Sequence, residues 1–140
     1  MRHAKHTFKI GRTGSHRRCM IANMLKSLIW HERIETTPVK AKEVKRYADK
    51  MVTLAKANTL TAKRRAASIM HIRYNPLTSK EKRDLKNEKG DARNLDRKVL
   101  TKLFGSFGDK YKDRQGGYTR VIRKGQRVGD AAPTCYLEWV

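Results

Sequence analysis

Potential metal ligands occur in two pairs near the start of this 140-residue sequence, His3 with His6 and His16 with Cys19. A structural zinc site needs four nitrogen or sulfur ligands that can close around the ion. We expect the first pair to lie on an extended segment and the second at the start of a helix, and the sequence has no CxxC motif. We therefore predict no metal site, and interpret these histidines as donors to a bound partner or as donors at the helix start.

The sequence evidence for a catalytic site is weaker than that for a metal site. Cys19 follows Arg17 and Arg18 near a predicted helix N-terminus, a setting typical of reactive cysteines, but we interpret it as a small helical residue near the edge of the core. Four carboxylates could be imagined as nuclease ligands, but lysines at helical spacing make surface ion pairs the simpler interpretation. These carboxylates are Glu32, Glu35, Glu43 and Asp49. We predict no enzyme activity and no cofactor.

Positive charge is the strongest chemical signal in the sequence. It holds 34 Lys and Arg against 13 Asp and Glu, and this net charge of +21 is typical of nucleic-acid binding. Between the first residue and Cys19 there is no acid, and Phe8 and Ile10 are the only sizeable apolar side chains. Such a segment cannot bury enough apolar surface to offset its ordering entropy. We predict that residues 1–14 form an extended, mobile basic arm that a polyanion orders.

Residues 15–140 are expected to form a single domain. Cys19 and Cys135 provide no disulfide framework, which fits a reducing compartment. The sequence shows no signal peptide, no apolar run near the roughly 18 residues of a membrane span, and no helix with the apolar face of a membrane-surface anchor. We predict a cytoplasmic protein without a membrane partner.

Apolar residues at helical spacing predict four helices. The first runs from about His16, capped by Ser15, to His31, and the second from about Val39 to Ala57. The third is capped by Thr61 and ends near His71, and the fourth follows Asn94 and ends with Gly105 at its C′ position.

Strands are predicted over residues 33–36, 118–124 and 134–140, and the last two form an antiparallel hairpin. Residues from about 74 to 93 mix charges and carry few large apolar side chains, so we predict a solvent-side insert there that can be partly helical. The fold class is therefore α+β: two layers, with helices on one face of a small sheet, in the order arm-α-β-α-α-α-β-β.

A glycine pair marks a second candidate binding site, Gly116 to Arg120. Two glycines allow close backbone approach or a positive φ, Tyr118 can stack on an unpaired base, and Arg120 can contact phosphate. Alternatively, the segment is a hairpin bend with Tyr118 in the core. We predict that Trp30 and Trp139, which lie among apolar neighbours, are core residues.

Motifs throughout the chain, in this order and spacing, carry a family resemblance. They are Met1-Arg2-His3, Ser15-His16-Arg17, Met20, Asn23-Met24, Ser27-Leu28, His31-Glu32, Ile34, Thr36-Thr37, Lys40-Ala41-Lys42-Glu43, Thr53-Leu54-Ala55-Lys56, Lys102-Leu103-Phe104, Gly116-Gly117-Tyr118-Thr119-Arg120, Arg127, Gly129-Asp130-Ala131-Ala132-Pro133 and Leu137-Glu138. Together they resemble the bacterial large-subunit ribosomal protein L17 family. The insert is longer than the short form of that family, so the resemblance implies nothing about it.

The resemblance implies a structural constituent of the large ribosomal subunit that binds large-subunit rRNA near the exit of the nascent-peptide tunnel, beside other ribosomal proteins. It also implies a two-layer α/β fold with an extended basic N-terminus, and no enzyme activity, cofactor, small-molecule substrate or homo-oligomer. Carried over by position, rRNA contact falls on Arg2, His3, Ser15, His16, Arg17, Gly116, Gly117, Tyr118, Thr119 and Arg120. Charge adds Lys5, Lys9, Arg12, Arg18, Arg123 and Lys124 to this prediction.

Two other function classes would require different sequence features. A free-standing RNA chaperone or nucleoid-type binder would share the charge but need no fixed partner. A nucleic-acid enzyme would require a dense acidic or Cys/His site, and the sequence offers none.

Overall fold

Helices form one layer of the computed structural model, which describes residues 8–72, 78–87 and 95–140. They are α1 (Gly14–His31), α2 (Pro38–Ala57), α3 (Leu60–Ile69), α4 (Ser79–Lys86) and α5 (Leu95–Lys102). α5 continues into a π-helical turn (Leu103–Phe107) and the short α6 (Gly108–Lys110). No helix in these ranges is long and apolar enough to cross a membrane.

The α2 helix is the element that the sequence predicts best. It begins with Pro38 at its first position, after Thr37, and its apolar stripe at helical spacing is fully buried. That stripe consists of Ala41, Val44, Ala48, Met51, Val52 and Ala55. α2 packs against two strands of the sheet and against α1 and α3, so it is the centre of the core.

The start of α1 differs from the prediction by two residues. Thr13 has the extended backbone of an N-cap and α1 begins at Gly14, so Ser15 lies inside the first turn. Before the helix, residues 8–13 are not helical, and Ile10 and Gly11 turn the chain with positive φ angles of 56° and 60°.

The start of α3 also lies two residues earlier than predicted. Asn58 ends α2 in the left-handed conformation, and Thr59 then caps α3 by accepting a 3.1 Å hydrogen bond from the amide of Ala62. The prediction that Thr61 is the cap is therefore wrong, because the preceding threonine already satisfies the free amide.

Gly105 does not end the fourth predicted helix. It lies within the π-helical turn, and the chain stays helical to Lys110 because Phe107 and Tyr111 continue the buried face. Gly108 passes close to α2, since a Cβ on this residue would lie 3.2 Å from the carbonyl oxygen of Ala55. Within the predicted insert, the described residues include α4.

The second layer is an antiparallel sheet of β1 (Arg33–Thr36), β2 (Thr119–Gln126) and β3 (Pro133–Trp139), in the order β1-β3-β2. The predicted hairpin of the last two strands is confirmed, and the register slips between Arg123 and Gly125. α2 covers one face of the sheet. We call the opposite face, which carries exposed side chains of β1 and β2, the outer face. The α+β class is confirmed.

Aromatic side chains close the core beneath the sheet. Trp139 is buried, its indole N–H donates to the carbonyl of Leu28 at 2.9 Å, and its ring meets Phe107 edge-on at 5.0 Å. The prediction for Trp139 is confirmed. The prediction for Trp30 is wrong, because its side chain falls just beyond the buried α1 stripe and is 38% exposed.

Candidate nucleic-acid interface

The first predicted site is the stem of the basic arm and the first turn of α1. Arg2, His3 and Lys5 lie outside the described residues. Lys9, Arg12, Ser15, His16 and Arg18 are all exposed. The amide of Arg12 donates to the carbonyl of Lys9 at 3.2 Å, so the turn at Ile10 and Gly11 brings these two cations to the start of the helix. The free amides and positive dipole of a helix N-terminus add to their attraction for phosphate.

Arg17 differs from its neighbours because protein groups already engage its guanidinium. Its Nη1 lies 3.5 Å from Oε1 of Glu43 and donates to the carbonyl of Phe8 at 3.2 Å. Glu43 is fully buried, and its other carboxylate oxygen lies 3.7 Å from Arg46. Arg17 therefore links Phe8, which precedes the turn at Ile10 and Gly11, to Glu43 of α2, and holds the first turn of α1 against α2.

The four carboxylates considered from the sequence pair differently from the prediction. Glu43 is buried rather than at the surface. Glu32 binds Lys102 at 2.7 Å, and this lysine lowers the pKa of the carboxyl. Glu35 binds Lys124, and Asp49 accepts a hydrogen bond from Thr119. The partners of Glu32, Glu35 and Asp49 are distant in the chain, so helical spacing alone could not identify them, whereas Arg46 lies three residues after Glu43 on the same helix.

The second predicted site divides into a buried and an exposed part. Gly116 and Gly117 have φ angles of 117° and 60°, as the glycine pair suggested. Tyr118 is 5% exposed and its hydroxyl donates to the carbonyl of Arg114, so the structure supports the core interpretation and not base stacking. Thr119 is buried as well, and its hydroxyl donates to Asp49. Arg120, Arg123 and Lys124 are exposed.

The N-terminal half of α2 lies between the two sites. Lys42 and Arg123 line the same groove, of about 580 Å³, beside the hairpin. Glu43, which follows Lys42 in α2, pairs with Arg17 of α1 and with Arg46 of α2. Lys42 and Arg46 therefore connect the first turn of α1 with the hairpin edge. We did not predict them as site residues, although they lie one helical turn apart on the basic side of α2, which is the signal that could have found them.

On the outer face, Glu138 accepts hydrogen bonds from two arginines. Arg33 Nε lies 2.5 Å from Oε2 and Arg120 Nε lies 2.6 Å from Oε1. The arginines, Arg120 first, lower the pKa of the Glu138 carboxyl. Arg33 and Glu138 were not predicted as site residues, because the partners are 105 residues apart in the sequence.

The metal and thiol candidates remain apart from these groups. The described ranges contain no cluster of three or more His, Cys, Asp or Glu that could hold a metal ion. Cys19 is exposed, whereas Cys135 is buried, donates to the carbonyl of Thr36 at 3.3 Å, and has its pKa raised by burial.

Comparison with known proteins identifies the relatives of this chain. The family model described as ribosomal protein L17 matches residues 20–140. The whole chain is 57% identical to the large ribosomal subunit protein bL17 of Protochlamydia amoebophila, and the alignment covers 99% of that relative. It is 55% identical to the protein of the same name from Chlamydia abortus and 54% identical to that of Chlamydia trachomatis serovar L2, again over the whole chain and 99% of each relative.

Proposed function

Because this chain belongs to the ribosomal protein L17 family, we propose that it binds large-subunit rRNA through one continuous basic surface, as a structural constituent of the subunit. This surface consists of the arm, the exposed cations of the first turn of α1, the basic side of α2 and the hairpin edge. Members of this family are ribosomal structural proteins, and the expectation that the chain is not an enzyme agrees with that.

Unpaired cations are the observation that carries this proposal. None of Lys9, Arg12, Arg18, Lys42 and Arg123 forms an ion pair with a described residue. Repulsion among such cations destabilises the isolated protein, and closely spaced phosphates would relieve it. Each phosphate that is neutralised also releases condensed counterions, which favours binding at low salt.

The two ends of the surface contribute in different ways. The arm supplies cations for the rRNA backbone, and Arg17 fixes the position of Phe8, from which the chain continues toward the N-terminus. The hairpin edge presents Arg123 from a strand, so this side chain starts from a fixed backbone. Specificity then comes from rRNA shape rather than from a code of base contacts.

A matched pair of double variants tests the proposed surface. Arg12→Ala/Arg18→Ala removes two exposed cations from the first site, and Lys80→Ala/Lys82→Ala removes two exposed cations from α4. Binding to large-subunit rRNA is measured against salt concentration. We expect the first variant to lower the slope of log K against log salt by about 1.5, because two phosphate contacts are lost, and the α4 variant to leave it unchanged. Equal slopes for both variants would refute the proposed location.

We also propose the position that the family resemblance implies, near the exit of the nascent-peptide tunnel and in contact with neighbouring ribosomal proteins, in the ribosomes of the cytoplasm. A cryo-EM map of large subunits that contain this protein tests it. Density for the protein away from the tunnel exit would refute the position without affecting the rRNA-binding surface.

A further inference from the structure

We propose that the outer face of the sheet carries a separate anion site, in which Arg33 and Arg120, aligned by Glu138, bind one phosphate of an RNA backbone. The inference rests on the proposed rRNA-binding function, but it assigns binding to a face that the surface along α1 and α2 does not include. It also assigns a positioning role to an acidic residue, Glu138, on a protein whose partner is an anion.

The sheet register places the three residues in one row. Arg33 of β1 and Arg120 of β2 both lie directly opposite Glu138 of the central strand. Since neighbouring strands are about 4.8 Å apart, the two arginines flank the glutamate symmetrically. Each arginine uses its Nε–H on a different oxygen of the same carboxylate. The two Nε atoms are therefore within roughly 7 Å of each other, close enough for one phosphate to reach both guanidinium groups.

The exposure of these side chains shows which of their atoms can meet a ligand. The Glu138 side chain is only 7% exposed, whereas those of Arg33 and Arg120 are 57% and 59% exposed. A guanidinium has five N–H donors, and only the Nε–H of each arginine is bonded within the described chain. The four Nη N–H groups on each side remain available for oxygen atoms from outside the molecule.

Glu138 prepares the arginines for a ligand. Two exposed arginines this close repel each other and each samples many rotamers. The shared carboxylate offsets the repulsion and holds both side chains, so less conformational entropy is lost when a ligand binds. The three groups together carry a formal charge of +1, which attracts an anion, and the planar guanidinium matches the bidentate geometry of phosphate.

Beside Arg33 and Arg120 on the outer face, the nearby charges neutralise each other, so the two arginines are the positively charged centre of this face. Lys124 binds Glu35 at 2.7 Å, so these two charges balance each other. Arg33 and Lys124 also lie over the ring of Tyr136, at 5.1 and 5.3 Å from its centroid. This ring is therefore already in contact with two cations of the protein. Charge complementarity therefore favours an RNA backbone, with its regularly spaced phosphates, as the occupant of the face.

Two charge-matched variants test the positioning role in the full-length protein. Glu138→Gln and Glu35→Gln each remove one acid from the outer face, so simple electrostatics predicts tighter binding to large-subunit rRNA for both. We expect Glu35→Gln to strengthen binding and Glu138→Gln to weaken it by about tenfold, because the charged hydrogen bonds that align the arginines are lost. Tighter binding by both variants would overturn the proposal. Far-UV circular dichroism and thermal unfolding check that both variants are folded.

A direct titration identifies the ligand. The Arg33 and Arg120 Nε–H signals in NMR spectra are followed as inorganic phosphate is added, and then as a short RNA oligonucleotide is added. We expect saturable shifts of both signals with both ligands, whereas the Nε–H of Arg64, an exposed arginine of α3 outside both proposed binding surfaces, serves as the control. Shifts with a poly-glutamate peptide but none with RNA would assign the face to an acidic protein and overturn the proposal.

Failure of this site is distinguishable from failure of the proposed function. If Arg12→Ala/Arg18→Ala lowers the salt slope while Arg33→Lys/Arg120→Lys leaves rRNA affinity unchanged, the outer face is not a phosphate site but the basic surface stands. If the wild-type protein shows no salt-dependent binding to large-subunit rRNA, the proposed function itself fails.

Discussion

Replacing Arg17 by methionine tests how the N-terminal segment is fastened to the domain. The substitution keeps an apolar stem but removes the guanidinium that lies 3.5 Å from Glu43 and 3.2 Å from the Phe8 carbonyl. Glu43 would remain fully buried, with only Arg46 at 3.7 Å to balance its charge. Removing one partner of a buried ion pair destabilises a protein by about 3 to 5 kcal/mol.

The geometry indicates a loss at or just below the lower end of that range. Both distances to Glu43 are long for ion pairs, and the Arg17 side chain is 20% exposed. We therefore expect Arg17→Met to lower the free energy of unfolding by about 2 to 3 kcal/mol, which corresponds to a fall in Tm of roughly 10 °C for a domain of this size. Arg17→Met/Glu43→Met should recover most of this loss, because the buried carboxylate is then replaced by an apolar group.

Urea unfolding followed by far-UV circular dichroism measures these changes, with the midpoint expected to shift and the m-value to stay constant. Arg18→Met is the control, since Arg18 is the adjacent exposed arginine and forms no ion pair with the described residues. If Arg17→Met and Arg18→Met reduce stability equally, Glu43 does not depend on Arg17 and the fastening role is refuted.

Three further predictions concern parts of the molecule away from Arg17. Gly108→Ala should lower the free energy of unfolding by about 1 kcal/mol, because the added Cβ would press on α2. Gly105→Ala should raise the free energy of unfolding by about 0.5 kcal/mol, because the space around Gly105 is open. Equal effects of the two substitutions in urea unfolding would contradict this prediction. The pKa of Asp130 is lowered to about 2 by Arg127, so the ion pair at the hairpin tip is complete above about pH 4 and is lost as the pH falls toward 2. NMR shifts of the amides near the tip should follow that range in the wild-type protein and not in Asp130→Asn. A thiol reagent should modify Cys19 in the folded protein and Cys135 only after unfolding, and equal rates under native conditions would contradict the burial of Cys135.

Local patterns predict the elements of this fold better than their ends. The alanine-rich stripe of α2 has one possible buried side, so its helix and its core residues follow directly from spacing. The predicted caps of α1 and α3 are wrong because two Ser or Thr residues near each start can take the N-cap, and only the backbone conformation selects one of them. The π-helical turn that carries the chain past Gly105 has no local signal in the sequence.

Buried polar residues are the part of the candidate site that the sequence could not predict. Glu43 and Glu138 look like ordinary surface acids, and their burial depends on arginines 26 and 105 residues away. A tyrosine ring suits both a base platform and the core, so the sequence does not decide between these roles for Tyr118. The packing of its ring against Tyr111 at 5.4 Å, which does decide, is a tertiary contact. The exposed cations at the start of α1 and on the hairpin edge agree with the sequence, because charge by itself predicts exposure.

The strand order also determines when the fold can be completed during synthesis. β3 follows the other two strands in the chain but lies between them, so β1 has no hydrogen-bonding partner in the sheet until β3 has been made. About 100 residues separate β1 from its partner, which at typical elongation rates corresponds to roughly 5 to 20 seconds. Until then β1 is an open strand edge on a highly cationic nascent chain. Slow translation before β3 would therefore lengthen the period in which this chain is exposed to mispairing and to non-specific RNA.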